Sequence, residues 1–430
     1  MLTRERNELL VRSDHDTLMG RLLRRYWVPA LLAEELPEPD CPPVRVKLLG
    51  EQLIALRDSD GRLGLLDEFC AHRGVSLFFG RNEECGLRCS YHGWKFDVDG
   101  NCVDMPSEPD ESNFKDRVRL KSYPAVERGG IVWAYMGPEE HRPPLPELEW
   151  AALPAERRFV SKRLQETNWV QAMEGGIDSS HVSFTHRYDI AEDPMHAGTA
   201  GLAYIKADRH PRFEVAESDG GLLIGARRNT GEDDEYYWRI TQWLMPWYTI
   251  IPPFGTHNPL GAHAWVPIDD EHCWAWSINY HPTRALRADE LDSMRAGEGI
   301  HVEYVPGTFR PKANRDNDYL IDREAQRQKK TFSGVAGISA QDFSLQESMG
   351  VIVDRTKERL GTSDAGIITA RRRLLRAAQL LADKGETPPG IAVESQRVRS
   401  ASLLLPADEA FHVGARDALR AEPGTEFVSI

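Results

Sequence analysis

Two short segments of the chain each pair a cysteine with a histidine: Cys70-Ala-His72-Arg-Gly74 and Cys89-Ser-Tyr-His92-Gly-Trp94, with sixteen residues between His72 and Cys89. Two thiolates and two neutral imidazoles in this order suit a two-iron, two-sulfur cluster. The thiolates hold one iron and the imidazoles the other, which raises the reduction potential above that of an all-cysteine cluster. Structural zinc also accepts two Cys and two His, but zinc fingers take them as C-x2-4-C and H-x3-5-H pairs. Here each segment supplies one of each. The simplest alternative makes the two cysteines core residues or a disulfide. Gly74 and Gly93 let both loops fold closely over the sulfides.

A second constellation runs from Glu166 through Asn168 and Glu174 to Asp178, His181 and His186. On a helix Asp178 and His181, three apart, share a face. His181 and His186, five apart, are separated by about 140° on a regular helix. Both therefore reach one ion only if the helix ends or loosens between them, which Ser183 and Thr185 permit. Two imidazoles with one carboxylate from elsewhere make a facial triad that leaves octahedral positions open for dioxygen. Alone, the histidine pair reads as ordinary part-buried imidazoles. Beside an iron-sulfur motif it reads as the destination of the cluster's electron.

The elements that must position these groups are of mixed type. The 430 residues suggest more than one core. Short strands at 44–49, 53–56, 63–66, 95–100 and 131–135, the middle pair joined by an Asp58-Ser-Asp-Gly61 turn, frame the metal loops. Residues 16–32 have helical spacing, with Pro29 ending or bending the pattern. Pro138, Pro143, Pro144 and Pro146 mark a stiff connector. Residues 213–216, 222–227, 236–244, 262–267 and 274–280 read as an antiparallel sheet. Residues 367–381 read as an amphipathic surface or subunit-contact helix with Leu374, Leu375, Ala378 and Leu381 on one side and Arg371, Arg372, Arg373 and Arg376 on the other. Beyond Pro389-Gly390 little regular pattern is visible. There is no repeat and no low-complexity tract.

Net charge is −14, which disfavours nucleic acid. Cys41, Cys85, Cys102 and Cys273 have no framework spacing, so a reducing cytoplasm is expected. The mixed charges of the first residues are not those of a signal peptide. Residues 243–254, the most apolar run, are broken by Pro246, Pro252 and Pro253 and too short to span a bilayer.

With these motifs the chain resembles the large (alpha) subunits of the Rieske non-haem iron ring-hydroxylating oxygenases, particularly the phthalate dioxygenase-like group. Respiratory-chain Rieske proteins are less similar: positions 75 and 91 are Val and Tyr, so their extra disulfide is absent. The resemblance implies an α+β architecture, a Rieske β domain followed by a helix-grip antiparallel-sheet catalytic domain. It divides the chain into an N-terminal helical segment (1–30), a Rieske [2Fe-2S] domain (31–140), a catalytic mononuclear-iron domain (141–385) and a C-terminal arm (386–430). The family pattern D-x-x-H-x4-H falls on Asp178, His181 and His186. It implies that His181 and His186 bind Fe(II), while Asp178 hydrogen-bonds His181 and touches a cluster histidine, His92, of a neighbouring subunit. Such a contact requires an oligomer, in this family a head-to-tail trimer or stacked hexamer. The late segment Ile338-Ser-Ala-Gln-Asp342-Phe-Ser-Leu-Gln346 is similar to the one that closes the family's triad. It points to Asp342, with Glu347 and Asp354 as competitors. Asp178 and Asn168 are the candidate catalytic side chains.

The function implied is a terminal oxygenase that cis-dihydroxylates or O-demethylates an aromatic carboxylic acid. Without a Gly-rich dinucleotide fingerprint, NADH oxidation falls to a separate flavin- and ferredoxin-type reductase. A substrate carboxylate needs a cation, and Arg is suited to bidentate capture. Of Arg209, Arg212, Arg227 and Arg239, the candidates are Arg209 and Arg239. Trp247, Tyr248, Phe254, Trp265 and Trp276, with Pro246, are candidates for an aromatic wall. The rival readings are a Rieske electron carrier or ligand-binding protein without oxygen chemistry, and a zinc scaffold.

Overall fold

The computed structural model describes residues 2–188 and 199–430. Val44–Leu48, Glu51–Arg57 and Leu63–Asp67 form an antiparallel meander completed by Ser122–Tyr123. Its Asp58 turn closes because the buried Asp58 carboxylate accepts from the backbone N–H groups of Asp60 and Arg62, an Asx-type turn. A second small sheet of Arg81–Glu83, Gly86–Arg88, Lys95–Phe96 and Cys102–Asp104 carries the Cys89 loop. The Cys70 loop leads into it from the meander.

The helix expected over 16–32 is shorter than its spacing suggests. Leu18–Leu23 is helical, capped by Thr17 Oγ1, which accepts from the Gly20 N–H at 3.0 Å. From Trp27 to Leu32 the chain is instead a strand paired with Ile131–Tyr135, its register broken between Pro29 and Leu31. Pro29 therefore sits at a bulge, where its missing N–H is tolerated.

An eight-stranded antiparallel sheet follows. Seven strands run in the order Arg158–Gln165, Cys273–Tyr280, Leu260–Pro267, Tyr248–Ile251, Glu235–Leu244, Gly221–Asn229 and Arg212–Glu217. The eighth comes from the C-terminal arm, where little pattern is expected: Ala401–Pro406 pairs with Glu235–Ile240, while Tyr248–Ile251 pairs with the far end of the same strand. Trp169–Ile177 and the long helix Ala365–Lys384 pack on this sheet. One apolar core runs from the N-terminal helices through the meander to the sheet and long helix, and a smaller one encloses Cys70, Cys89, Leu77, Leu87, Trp94 and Phe96. Among the described residues no helix is long and apolar enough to cross a membrane.

The helix Trp169–Ile177 is fixed by buried charge. Glu174 accepts two hydrogen bonds from Arg371 at 2.7 and 2.8 Å and two from Arg355 at 3.3 Å. Arg355 also donates to Asn7, and Arg371 to Glu358 at 2.6 and 2.8 Å. Arg371, expected on the polar side of the long helix, is thus inside. A residue beneath the packing face escapes water when carboxylates on two other segments meet it. Burial works against ionisation of Glu174, yet the two guanidiniums hold its carboxyl below the usual range. Next to it Gly175 and Gly176 allow close approach: a Cβ would fall 2.1 Å from Gln346 Nε2 or 2.2 Å from the Trp265 ring. Glu174→Gln leaves two buried guanidiniums short of a counter-charge and is expected to cost about 3–5 kcal/mol, read as a lower urea midpoint.

Candidate active site

The two Cys/His loops are built alike. In each, the glycine four residues after the cysteine donates back to the cysteine carbonyl, Gly74 to Cys70 at 2.9 Å and Gly93 to Cys89 at 3.0 Å. In each, the cysteine N–H donates to the carbonyl after that glycine, Val75 or Trp94. The turn closes only with the glycine at positive φ, 72° and 78°, where a side chain is strained. Cys70 and Cys89 are buried, and none of the six cysteines forms a disulfide. Burial pushes the Cys70 thiol up to about 11, reinforced by Cys89 beside it. The His72 and His92 rings meet edge to face at 4.4 Å, and Trp94 stacks on His72 at 4.4 Å. His72 Nδ1 is buried without a hydrogen-bond partner. Adjacent buried thiols and an orphaned imidazole nitrogen fit a metal cluster and would otherwise be costly.

At the second constellation the helix ends at Ile177, Asp178 caps it, and His181–Ser183 restart as one tight 3-10 turn. That break swings His181 and His186 together. Their Nε2 atoms are 3.1 Å apart, and Asp342 Oδ1 lies 3.4 Å from the first and 3.0 Å from the second. Donors about 2.1 Å from one octahedral ion lie roughly 3.0 Å apart when adjacent, so this donor set fits a single cation.

The ring orientations are fixed from behind. Gln341 Nε2 donates to the Val335 carbonyl at 3.0 Å, so Oε1 is the acceptor for His186 Nδ1–H at 2.7 Å, and Nε2 faces Asp342 with its lone pair. His181 Nδ1 lies 3.4 Å from Asp178 Oδ2, within reach of its charge but poorly aligned as a hydrogen bond. Burial alone would lower the His181 imidazole. The carboxylates of Asp178 and Asp342 outweigh it and hold it at about 10. Asp342 is driven the opposite way: burial raises it, but the two imidazoles win and hold it well below the usual carboxylate range.

Glu347 and Asp354 are elsewhere. Glu347 accepts from the Glu166 N–H at 3.0 Å and from the Tyr319 hydroxyl at 2.7 Å. Asp354 accepts from Thr356 in a turn and pairs with Lys357. Asn168 is likewise spent on architecture. Its Oδ1 caps the helix at Val170 N–H, and its Nδ2 donates to the Val11 and Asp270 carbonyls. It does not line the cavity.

That cavity, of about 150 Å³, opens beside His181, His186 and Asp342. Val182, Ile251, Pro252, Pro253, Phe254, Trp265, Ile300 and Ile338 make its apolar wall. Of the expected aromatic wall only Phe254 and Trp265 face it; Trp247, Tyr248 and Trp276 are core. Arg239 lines it, but its Nη atoms donate to the Pro252 and Pro253 carbonyls at 2.8 and 3.3 Å and its guanidinium lies 3.9 Å over Phe254. Arg209 is exposed on a loop away from it. Sequence reasoning missed Gln341, whose signal was adjacency to Asp342, and did not place Arg163, which strand alternation turns toward the cavity.

Residues 26–124 match the Rieske [2Fe-2S] domain, and residues 134–405 match the family described as LigXa C-terminal domain like. The chain is 40% identical over 414 residues to the 3-chlorobenzoate-3,4-dioxygenase oxygenase subunit of Comamonas testosteroni, covering 93% of this chain and 94% of that one. It is 39% identical to the phthalate 4,5-dioxygenase oxygenase subunit of Pseudomonas putida (88% and 86%) and 32% identical to the 5,5'-dehydrodivanillate O-demethylase oxygenase subunit of Sphingobium sp. (strain NBRC 103272 / SYK-6) (91% and 84%). Among solved structures, dicamba monooxygenase bound to dicamba shares the fold at TM-score 0.56 and 19% identity, over 84% of this chain and 99% of that one. The chain belongs to the Rieske non-haem iron ring-hydroxylating oxygenases, in the phthalate dioxygenase-like group of their large subunits. Its cofactors are accordingly a Rieske [2Fe-2S] cluster and a mononuclear iron.

Asp342→Ala is expected to lower total iron from about three to about two per chain while the cluster's visible and EPR spectra persist. Glu347→Gln and Asp354→Asn should keep all three. Gln341→Leu, freeing the His186 ring, should weaken iron binding about 10- to 100-fold, read by chelator competition.

Proposed function

We propose that this chain is the terminal oxygenase of a multicomponent system that hydroxylates or O-demethylates a single-ring aromatic carboxylic acid. The observation that carries this reading is the convergence of His181, His186 and Asp342 at the mouth of an apolar cavity, in a chain that also holds the Cys70/His72/Cys89/His92 set. When bound, the cluster supplies electrons singly and the mononuclear iron supplies adjacent open positions where dioxygen is activated.

The protein's own residues do the rest. Cys70, His72, Cys89 and His92 hold the cluster; His181, His186 and Asp342 hold the mononuclear iron. Asp178 orients His181 by charge and Gln341 orients His186 by a hydrogen bond. The apolar wall keeps water from the reacting ring. Engineered cavities of about 150 Å³ accept benzene, which favours benzoate- or phthalate-sized acids over two-ring ones. The relatives named for 3-chlorobenzoate and phthalate support that class, and the one named for an O-demethylase keeps demethylation within the same apparatus.

The cluster loops belong to a separate apolar core, and none of their residues lines the cavity. Exposed Phe78, Phe79 and Tyr91 flank them, the kind of apolar patch that marks a contact surface. The reading therefore includes a trimer or stacked hexamer in which Asp178 meets His92 of the partner subunit, and a separate reductase that takes electrons from NADH.

Three measurements test this. The purified chain alone should not oxidise NADH; turnover without a reductase overturns the division of labour. Product analysis with benzoate, phthalate and methoxybenzoates should show diol or demethylated product with reductase present, and an inert protein with about two irons would instead be the electron carrier. Asp178→Asn should keep all three irons yet slow product formation in a single turnover of pre-reduced protein by tenfold or more (about 1.4 kcal/mol of barrier). An unchanged rate removes the bridging role.

A further inference from the structure

We propose that Arg163 binds the carboxylate of the aromatic acid, and so sets the chain's preference for anionic substrates. The assignment rests on the oxygenase reading above and adds to it the residue that recognises the acid. Arg163 lies on Arg158–Gln165, at the edge of the sheet and with its neighbour strand in register: Ser161 opposite Ser277, Arg163 opposite Ala275, and His263 opposite Ser277 on the next strand. Alternation puts Ser161, Arg163, Ser277, Asn279 and His263 on one face, and Arg163, Asn279 and His263 line the cavity.

Arg163 is only 4% exposed. One of its five N–H groups is accounted for, Nη1 donating to the neutral Ser277 hydroxyl at 3.2 Å. Nε is buried with no partner. No carboxylate among the described residues pairs with it within salt-bridge distance. Asp342 contributes only a longer-range attraction, and burial pulls the guanidinium below its ordinary pKa. The neighbouring histidines supply no compensating charge. His263 Nδ1–H faces the Trp276 carbonyl at 3.1 Å, and burial together with Arg163 takes this ring down to about 4. His301, bonded to Ser161 and Asn279, is down at about 3.

A buried guanidinium that lines the cavity with an orphaned N–H, only the Phe343 ring 5.5 Å away and no paired carboxylate is a standing cost unless an anion completes it. A carboxylate matches the fork in shape and charge. Arg239, the other cavity arginine, differs in that both its Nη atoms donate to backbone carbonyls, of Pro253 and Pro252, and its guanidinium packs over Phe254.

The test uses protein loaded with cluster and ferrous ion, titrated calorimetrically with benzoate, 3-chlorobenzoate and phthalate, and with 3-chlorobenzamide as the neutral counterpart. Arg163→Gln is expected to weaken acid binding about 10- to 100-fold and to change amide binding less than threefold, with iron content and cluster spectrum unchanged. Arg163→Lys, which keeps the buried charge but not the fork, should lose about tenfold for the acid alone; it decides the matter if Arg163→Gln does not fold. Equal losses for acid and amide, an unchanged acid affinity, or loss of the mononuclear iron in the lysine variant overturns the assignment while leaving the oxygenase reading in place. Wild-type protein that binds none of the three acids overturns both.

Discussion

Three lone-pair donors held 3.0 to 3.4 Å apart are the constraint around which the rest of the structure is arranged. Donors this close are completed by a cation shared among them, a proton or a metal ion, and unfolded chain has no reason to assemble them. The fold supplies that assembly from two directions. The helix Trp169–Ile177 ends where the histidines must swing inward, and Ile338–Ser348 brings Asp342 across from the far side. Both are immobilised behind the site. Glu174 is locked to Arg355 and Arg371, while Gln171 donates to the Gly350 carbonyl and accepts from Val353 N–H. Gln341 ties the His186 ring to the backbone at Val335. Positional precision at the donors is therefore set by buried polar bonds one residue layer away.

Charge is distributed on the same logic. The chain carries −14 overall, yet the cavity end of the sheet holds buried arginines. Surface charge is screened within about 8–10 Å in physiological salt, whereas a buried guanidinium is screened little. A substrate anion inside the cavity thus responds to the local cation and not to the molecule's net charge. The cost of this design is visible at Arg228 as well, which is buried beside Arg239 and brought down to about 10, chiefly by desolvation and then by that like charge.

Much of this was legible in the sequence because the signals were local. The C-x-H and C-x-x-H spacing, the D-x-x-H-x4-H pattern and the alternating strands are each read within a dozen residues. What was not legible depended on partners far along the chain. The segment around Asp342 pointed to it by resemblance alone and left Glu347 and Asp354 open; Tyr319 and Glu166, 28 and 181 positions away, are what claim Glu347. Arg371 looked solvated because the carboxylates it meets are 13 and 197 positions away. Trp27–Leu32 has helical spacing but is captured by Ile131–Tyr135, and Ala401–Pro406 becomes a strand because Glu235–Leu244 offers an open edge. Asn168 sits among functional residues, and its adjacency to them is what made it resemble one.

The separation of the two metal loops from the cavity finally explains why a single chain is an incomplete unit under the proposed function. Cys70 and Cys89 are anchored in their own small core, fixed by paired turns whose glycines leave no slack. His181, His186 and Asp342 sit outside it, with Val182 and Ile338 packed in one small apolar cluster and Ala340 and Phe343 in another. Under the proposed function, contact between cluster and mononuclear site is made by apposing the finished surfaces of two subunits. Asp178 suits that purpose. Its Oδ1 is held by Ser180 N–H at 2.6 Å, its Oδ2 faces His181, and its side chain remains 24% exposed. Under the proposed function, a carboxylate so fixed on one side and partly open on the other would meet the partner's imidazole as a preset acceptor.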